Sequence, residues 1–390
     1  MTRTPVEIFF WSRLATWLLA VAALLALVPN RDPGRVERAD PNVIGELGYA
    51  TDVWARWDSF WFLRIAEHGY DDTASTAFYP LYPALVGVLG RIFGGHYVVA
   101  GIAISLAACL ASFVLLYRLV LQRFPAEVAA RAVLFLAVFP TAFFLQAVYS
   151  EALFLALALG AFLCAERDRF GAAAALTGLA ILTRPTGLAL VPALLFLAWK
   201  APTGRRSLVY IAAAVSAALG VYALVLWQQL GRPFAFVHTE GQWFRETSPL
   251  GPLGGLWDAA HATWAGVLQL TVGSEENSYW VEEGADSVAL TNIEGFGVLV
   301  LLVAAGYVAW TRIGPAYGLF CAASIAIPLS VPTRAVPLLS LPRFALVVFP
   351  VFIALALIAS TQHRVALIAG VSGILLGVHL TQWALWQWVA

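Results

Sequence analysis

LVYIAAAVSAALGVYALVLWQQL, residues Leu208–Leu230, runs for twenty-three positions without a charged side chain. A helix rises about 1.5 Å per residue, so this one would span roughly 35 Å, enough to cross the ~30 Å hydrocarbon core of a bilayer. The run is not isolated. Leu14–Val28, Val98–Tyr117, Ala132–Val148, Ala152–Ala165, Gly171–Thr183, Gly187–Trp199, Phe296–Thr311, Gly314–Val331, Phe344–Ser360 and Val365–Val389 are apolar in the same way. Across 390 residues 61% are apolar or aromatic and 12% are charged, with mean hydropathy +0.80. Soluble domains carry about 25% charged residues. These values exclude a water-soluble globule and a disordered chain, and they predict an all-α polytopic membrane protein, a single integral-membrane domain over residues 1–390.

Net charge is zero, with 23 basic and 23 acidic side chains, so no basic nucleic-acid surface is expected. Cys109, Cys164 and Cys321 fall inside apolar runs, where a thiol is a small hydrophobe. Leu14–Val28 is followed by no small-residue cleavage site and reads as a retained helix. Phe78–Phe93 contains Pro80, Pro83 and Arg91 and is expected in the interface or re-entering. About eleven crossings result. Arg3, Arg13, Arg118, Arg123, Arg131, Arg167, Arg169, Lys200, Arg205, Arg206, Arg312 and Arg364 then share one side, which the positive-inside rule makes cytoplasmic, together with the N-terminus. Most acids fall in two long extracytoplasmic loops, 30–77 and 231–294.

Candidate chemistry gathers at the outer ends. In Arg56-Trp57-Asp58-Ser59-Phe60-Trp61-Phe62-Leu63-Arg64-Ile65-Ala66-Glu67-His68-Gly69-Tyr70, helical spacing puts Asp58, Trp61, Phe62 and Ile65 on one face with His68 at its edge. Asp58 reads as a helix cap or as a partly desolvated base; Trp57 and Trp61 suit an interfacial aromatic belt. Arg64, His68 and, further along the chain, Tyr149 are candidate substrate contacts. Tyr79 and Tyr82, in Phe78-Tyr79-Pro80-Leu81-Tyr82-Pro83, suit either a sugar or the belt. Tyr149-Ser150-Glu151 opens an apolar helix, so Glu151 is a dipole-favoured residue capped by Ser150, or a carboxylate facing the same cavity as Asp58. Arg184, in a Pro/Gly break between two runs too short to cross, is an intramembrane cation suited to a phosphate or to an internal carboxylate such as Glu151. His238-Thr239-Glu240-Gly241-Gln242-Trp243-Phe244-Arg245-Glu246 mixes hydrogen-bonding groups with aromatics. Of these, Gln242, Trp243 and Arg245 are candidate sugar contacts. Arg343, in Leu341-Pro342-Arg343-Phe344, is a further phosphate contact beside Ser340. Carboxylates, arginines and broken helices at the mouth of an apolar bundle fit a lipid-linked phosphosugar.

Three blocks, Arg56-Trp57-Asp58 through Tyr70, Phe78 through Pro83, and Tyr149-Ser150-Glu151-Ala152-Leu153-Phe154, resemble the PIG-V family, transferases that add the second mannose to glycosylphosphatidylinositol. The resemblance extends from about Trp54 to Phe349, weakest at Leu341–Phe344. At Arg184-Pro185-Thr186-Gly187 the chain departs from the family's pattern, so a role for Arg184 rests on charge alone. The resemblance implies a GT-C type bundle and an inverting transfer of mannose from a polyprenyl-phosphate donor, with Asp58 catalytic; Glu151 is the second candidate catalytic residue, from its position in the chain. It implies no required cofactor. The absence of any Asp-X-Asp triplet argues against a metal-bridged nucleotide-sugar mechanism, and a loosely bound divalent cation stays compatible. Ala, Leu, Val, Gly and Arg dominate and there is one Met, as in GC-rich bacteria, which points to a glycolipid or other cell-envelope acceptor. Two alternatives stay open: the same chemistry with another lipid-linked sugar, and a non-catalytic lipid or solute transporter using Asp58, Glu151 and Arg184 as a relay.

Overall fold

The computed structural model describes residues 4–28, 48–202, 204–237, 239–272 and 285–389. Much of the first expected loop, residues 273–284 of the second, and His238 lie outside the described residues. In chain order the helices are α1 (Pro5–Ala26), α2 (Tyr49–Asp52), α3 (Ser59–His68), α4 (Leu81–Ile92), α5 (Tyr97–Leu121), α6 (Ala126–Ala137), α7 (Glu151–Ala165) and α8 (Phe170–Thr183). They continue as α9 (Leu190–Lys200), α10 (Gly204–Leu230), α11 (Pro252–Val272), α12 (Ala285–Val308), α13 (Pro315–Ser330), α14 (Leu341–Ala345), α15 (Pro350–Ile358) and α16 (Gln362–Ala384). Among the described residues there is no strand, only an isolated bridge between Arg245 and Thr333.

The protein is a polytopic helical membrane protein. Among the described residues five helices are long and apolar enough to cross a membrane: α1, α5, α10, α12 with the π-turn that follows it, and α16. Five further apolar helices, including α4, α7, α8 and α13, are shorter. The bundle therefore does not divide into eleven equal crossings. Its centre is α7, apolar nearly all round and packed between α5 and α8, as a helix buried on every side must be.

Two expected helices are broken, each at a proline. Ala132–Val148 does not form one helix: α6 stops at Ala137, shortly before Pro140, and residues Thr141–Ser150 are irregular yet buried. Proline lacks the N–H that would continue the ladder. Non-helical backbone inside an apolar bundle has to find other partners. Arg13 supplies two of them, donating to the carbonyls of Ala137 (2.9 Å) and Ala142 (2.8 Å). Thr16 meets Gln146 at 3.0 Å, and the Val148 N–H donates to the Trp54 carbonyl at 2.9 Å. Arg13 is thus a buried pin within α1 and is no loop cation, which removes it from the charge count above. Phe344–Ser360 likewise splits into α14 and α15, the second beginning at Pro350.

A third correction concerns the second long loop. Residues 231–294 contain α11, a 21-residue helix packed on α12 and α13, and the start of α12. Asp258, His261, Thr263 and Gln269 dilute its apolar pattern. Gly255 lies directly against the Leu329 carbonyl, with no room for a Cβ. α4 is a 12-residue helix, about 18 Å long, shorter than the hydrocarbon core. It packs on α3 and α5, and a Cβ at Gly87 would meet the Ala66 carbonyl at 2.7 Å.

Arg13→Met would remove the side-chain donor from the buried Ala137 and Ala142 carbonyls, and a buried carbonyl left unsatisfied costs about 1–3 kcal/mol. It is expected to lower the melting temperature in detergent clearly more than Arg13→Lys does. Equal melting temperatures for wild type and both variants would contradict this role.

Candidate active site

The site is assembled from element ends. Asp58 precedes α3 but makes no capping bond, so its carboxylate is not spent on the helix terminus. The residue before it, Trp57, has φ +51°, a left-handed conformation rare for bulky side chains. Tyr149 brackets this turn: its hydroxyl donates to the Arg56 carbonyl (3.2 Å) and accepts from the Asp58 N–H (3.1 Å). Glu151 opens α7 and is completely buried, and Ser150 does not cap that helix through its side chain. Arg184 follows α8 with extended backbone, as expected for a residue before proline. Arg343 lies on the short α14, whose preceding residue Ser340 has φ +66°. That turn is held by Thr141 donating to the Pro342 carbonyl (2.9 Å) and by Arg245 donating to the Leu339 carbonyl (3.1 Å).

These four ends form one chain of alternating charge. Arg343 pairs with Asp58 at 2.5 Å and with Glu151 at 3.3 Å, and Glu151 pairs in turn with Arg184. Arg184 also donates to the Ser150 hydroxyl at 3.3 Å. Burial works against the charge on Arg343, but the adjoining Asp58 and Glu151 outweigh it and hold its guanidinium above the ordinary arginine value. Glu151 Oε2 has no hydrogen-bond partner among the described residues. Phe344 serves as a common platform: the guanidiniums of Arg343, Arg184 and Arg245 lie 5.5, 5.6 and 6.0 Å from its ring centre.

Of the candidates read from sequence, Asp58, Tyr149, Glu151, Arg184, Arg245 and Arg343 come together. Trp243 packs edge-on against Trp61 (5.7 Å) and Phe78 (5.5 Å), one helical turn from Asp58. Others are placed elsewhere. Tyr82 is fully buried, with its hydroxyl bonded to the Gly101 carbonyl (3.1 Å) and to Ser105 (3.0 Å), so it ties α4 to α5. Tyr79 is buried against Tyr222, ring centres 4.6 Å apart. Arg64 pairs with Asp71 and Asp72, and His68 is exposed at the far end of α3, about 15 Å along the helix from Asp58. Gln242 is exposed. Trp57 and Trp61 are buried and are no interfacial belt. Phe344 went unread because only its neighbour carries a charge. Among the described residues no three His, Cys, Asp or Glu side chains gather as a metal site.

Residues 25–201 match the family model described as Mannosyltransferase (PIG-V). The matched segment holds Asp58, Tyr149, Glu151 and Arg184, and it stops before Arg245 and Arg343. The resemblance read from the Asp58, Phe78–Pro83 and Tyr149–Phe154 blocks is thus found by the PIG-V match, over a shorter range than those blocks suggested. No curated protein sequence matches the chain. Among solved structures, it is similar to the oligosaccharyltransferase of Archaeoglobus fulgidus in the apo form, at 14% identity and TM-score 0.46, covering 96% of this chain and 56% of that one. It is also similar to ArnT from Cupriavidus metallidurans, apo (17% identity, TM-score 0.40) and bound to undecaprenyl phosphate (16%, 0.38), covering 96% of this chain and 77% of ArnT in both. The chain spans about half the length of the archaeal protein.

Removing one partner from a buried ion pair typically costs about 3–5 kcal/mol. Glu151→Ala, which strips two arginines of their shared carboxylate, is expected to lower the melting temperature more than Arg64→Ala, whose partners are half-exposed. A larger loss for Arg64→Ala would show that the buried chain is not what joins these helix ends.

Proposed function

We propose that the protein is an integral-membrane glycosyltransferase. It would move a sugar, a mannosyl group by the PIG-V match, from a polyprenyl-phosphate donor to a hydroxyl of a glycolipid or other cell-envelope acceptor. The observation that carries the reading is the Asp58–Arg343–Glu151–Arg184 chain, which joins a carboxylate without a capping role to two arginines, one directly and one through Glu151, at one end of an apolar bundle. Arginine presents a planar fork of donors suited to phosphate.

In this scheme the prenyl tail lies along apolar helices, and the donor phosphate is met by Arg343 and Arg184. Asp58 takes the proton of the acceptor hydroxyl as general base. The acceptor oxygen attacks the anomeric carbon from the face opposite the phosphate, and the bond from that carbon to the phosphate oxygen breaks with inversion. Its electron pair leaves with the phosphate, turning a phosphodiester monoanion into a phosphomonoester dianion. The extra charge develops in the transition state beside the two guanidiniums, where fixed donors act most strongly. The orphan oxygen of Glu151 is a place for a sugar hydroxyl to donate. The scheme uses no cofactor.

The pairing of Asp58 with Arg343 adds a condition. A carboxylate held by an arginine is a poor base, and an arginine held by a carboxylate is only partly available to phosphate. The donor phosphate therefore competes with Asp58 for Arg343, and its arrival frees the base. The active end faces the extracytoplasmic side in this reading. Support comes from the opposite helix ends, which carry Arg123, Arg131, Arg167, Arg169, Lys200, Arg205 and Arg206. There Arg123 ties Glu166 to the Ile313 carbonyl.

The reaction is tested by offering radiolabelled polyprenyl-phosphate mannose and a membrane-lipid extract to the purified protein in mixed micelles. Label is expected to enter a new product with wild type. Asp58→Asn is expected to lower kcat by about 10²–10⁴-fold, the range of general-base catalysis, and transfer by Asp58→Asn at the wild-type rate would remove Asp58 from that role. Arg184→Ala is expected to raise the KM for the donor more than that for the acceptor; equal increases would make Arg184 a structural ion pair only.

A further inference from the structure

The turn that carries Asp58 is gripped by residues far away in sequence. Trp57 holds a left-handed backbone at φ +51°, a conformation that costs of order 1–3 kcal/mol in a non-glycine residue and persists only where surroundings over-determine it. Those surroundings are the residues at the end of α16 and just beyond it. Trp383 donates its indole N–H to the Val53 carbonyl at 2.7 Å. Trp386 lies under the Arg56 guanidinium, 4.2 Å from the charge to the ring centre, and edge-on to Trp57 at 5.9 Å. Trp388 also packs edge-on against Trp57, ring centres 5.1 Å apart. Trp386 itself turns the chain at φ +60°, fixed by its N–H donating to the Trp383 carbonyl at 3.2 Å. Arg56 is also held by the Asp52 carbonyl at 2.7 Å and the Asp52 carboxylate at 3.3 Å.

We infer that Trp386 and Trp388 are positioning residues for Asp58, holding Trp57 in its left-handed turn so that the carboxylate is aimed at the acceptor hydroxyl. Both lie outside the PIG-V-matched segment. The inference rests on the reading of Asp58 as the general base. Two edge-on ring contacts to Trp57 and a cation–π contact to its neighbour fix the backbone immediately before the carboxylate. Tyr149 fixes it from within the bundle. A base displaced by about an ångström loses orders of magnitude in rate, and a loosened Asp58–Arg343 pair leaves that arginine more available to phosphate, so donor binding is not weakened. The expected signature is a fall in kcat without a matching rise in the donor KM.

Trp386→Ala, Trp386→Phe, Trp388→Ala and Asp58→Asn would be compared with wild type for kcat, donor KM and melting temperature. Trp388 is 41% exposed, so its removal is expected to leave the chain folded, which the melting temperature checks. Both alanine variants are expected to lose about 10–100-fold in kcat with no rise in the donor KM, and Trp386→Phe is expected to recover most of the loss. Wild-type kcat in folded Trp388→Ala, with Asp58→Asn inactive, would overturn the inference and leave the base role standing. So would a loss confined to KM. Full activity of Asp58→Asn would overturn the base role itself, and with it the reason for any positioning.

Discussion

Arg343 stands between two carboxylates, Asp58 on one side and Glu151 on the other, and the architecture at this end of the bundle follows from that arrangement. Burying an unpaired charge is expensive, and removing one partner of a buried pair exposes the other to the whole desolvation penalty. The start of α3, the start of α7, the end of α8 and the short α14 are therefore committed to one meeting point. None of the four charged groups is neutralised by its own helix. A substrate that brings a negative charge to this point enters an existing balance and must redistribute it; in the proposed reaction, binding of a phosphate and release of a base are thereby coupled.

That meeting point requires irregular backbone within an apolar bundle, where every N–H and C=O must find a protein partner. The break after α6 delivers Tyr149, Ser150 and Glu151 to the site, and the break around α14 delivers Arg343. Arg13 from α1 and Thr141 from the first break supply the hydrogen bonds that make both departures from helix tolerable. A cation in a membrane helix is usually read for its charge. Arg13 is used here for its geometry, as a fork that reaches two carbonyls at once.

Sequence reading reached the helical membrane class and all four members of the charged chain, because long uncharged runs and ionisable residues at helix ends are local signals. Asp58, Glu151, Arg184 and Arg343 each stood out against apolar neighbours. What local signals do not carry is partnership. A tyrosine hydroxyl is equally able to meet a sugar or a backbone carbonyl, and Tyr82 meets the carbonyl of Gly101. An arginine near the start of an apolar helix counts as a loop cation until a broken helix is packed against it, as at Arg13. α11 was hidden because its packing face is built from small residues such as Gly255, Ala259, Ala262 and Gly266, which contribute close contact and little hydropathy. The grip of Trp386 and Trp388 on Trp57 joins parts of the chain more than three hundred residues apart, beyond the reach of any pattern along it.

The central claim is that Asp58 and the donor phosphate compete for Arg343. The most direct measurement is the affinity of purified wild type, Asp58→Asn and Arg343→Gln for polyprenyl phosphate in mixed micelles. With the competing charge removed, Asp58→Asn is predicted to bind the lipid phosphate more tightly than wild type, whereas Arg343→Gln binds it more weakly. Weaker binding by Asp58→Asn, or unchanged binding by Arg343→Gln, would contradict the account.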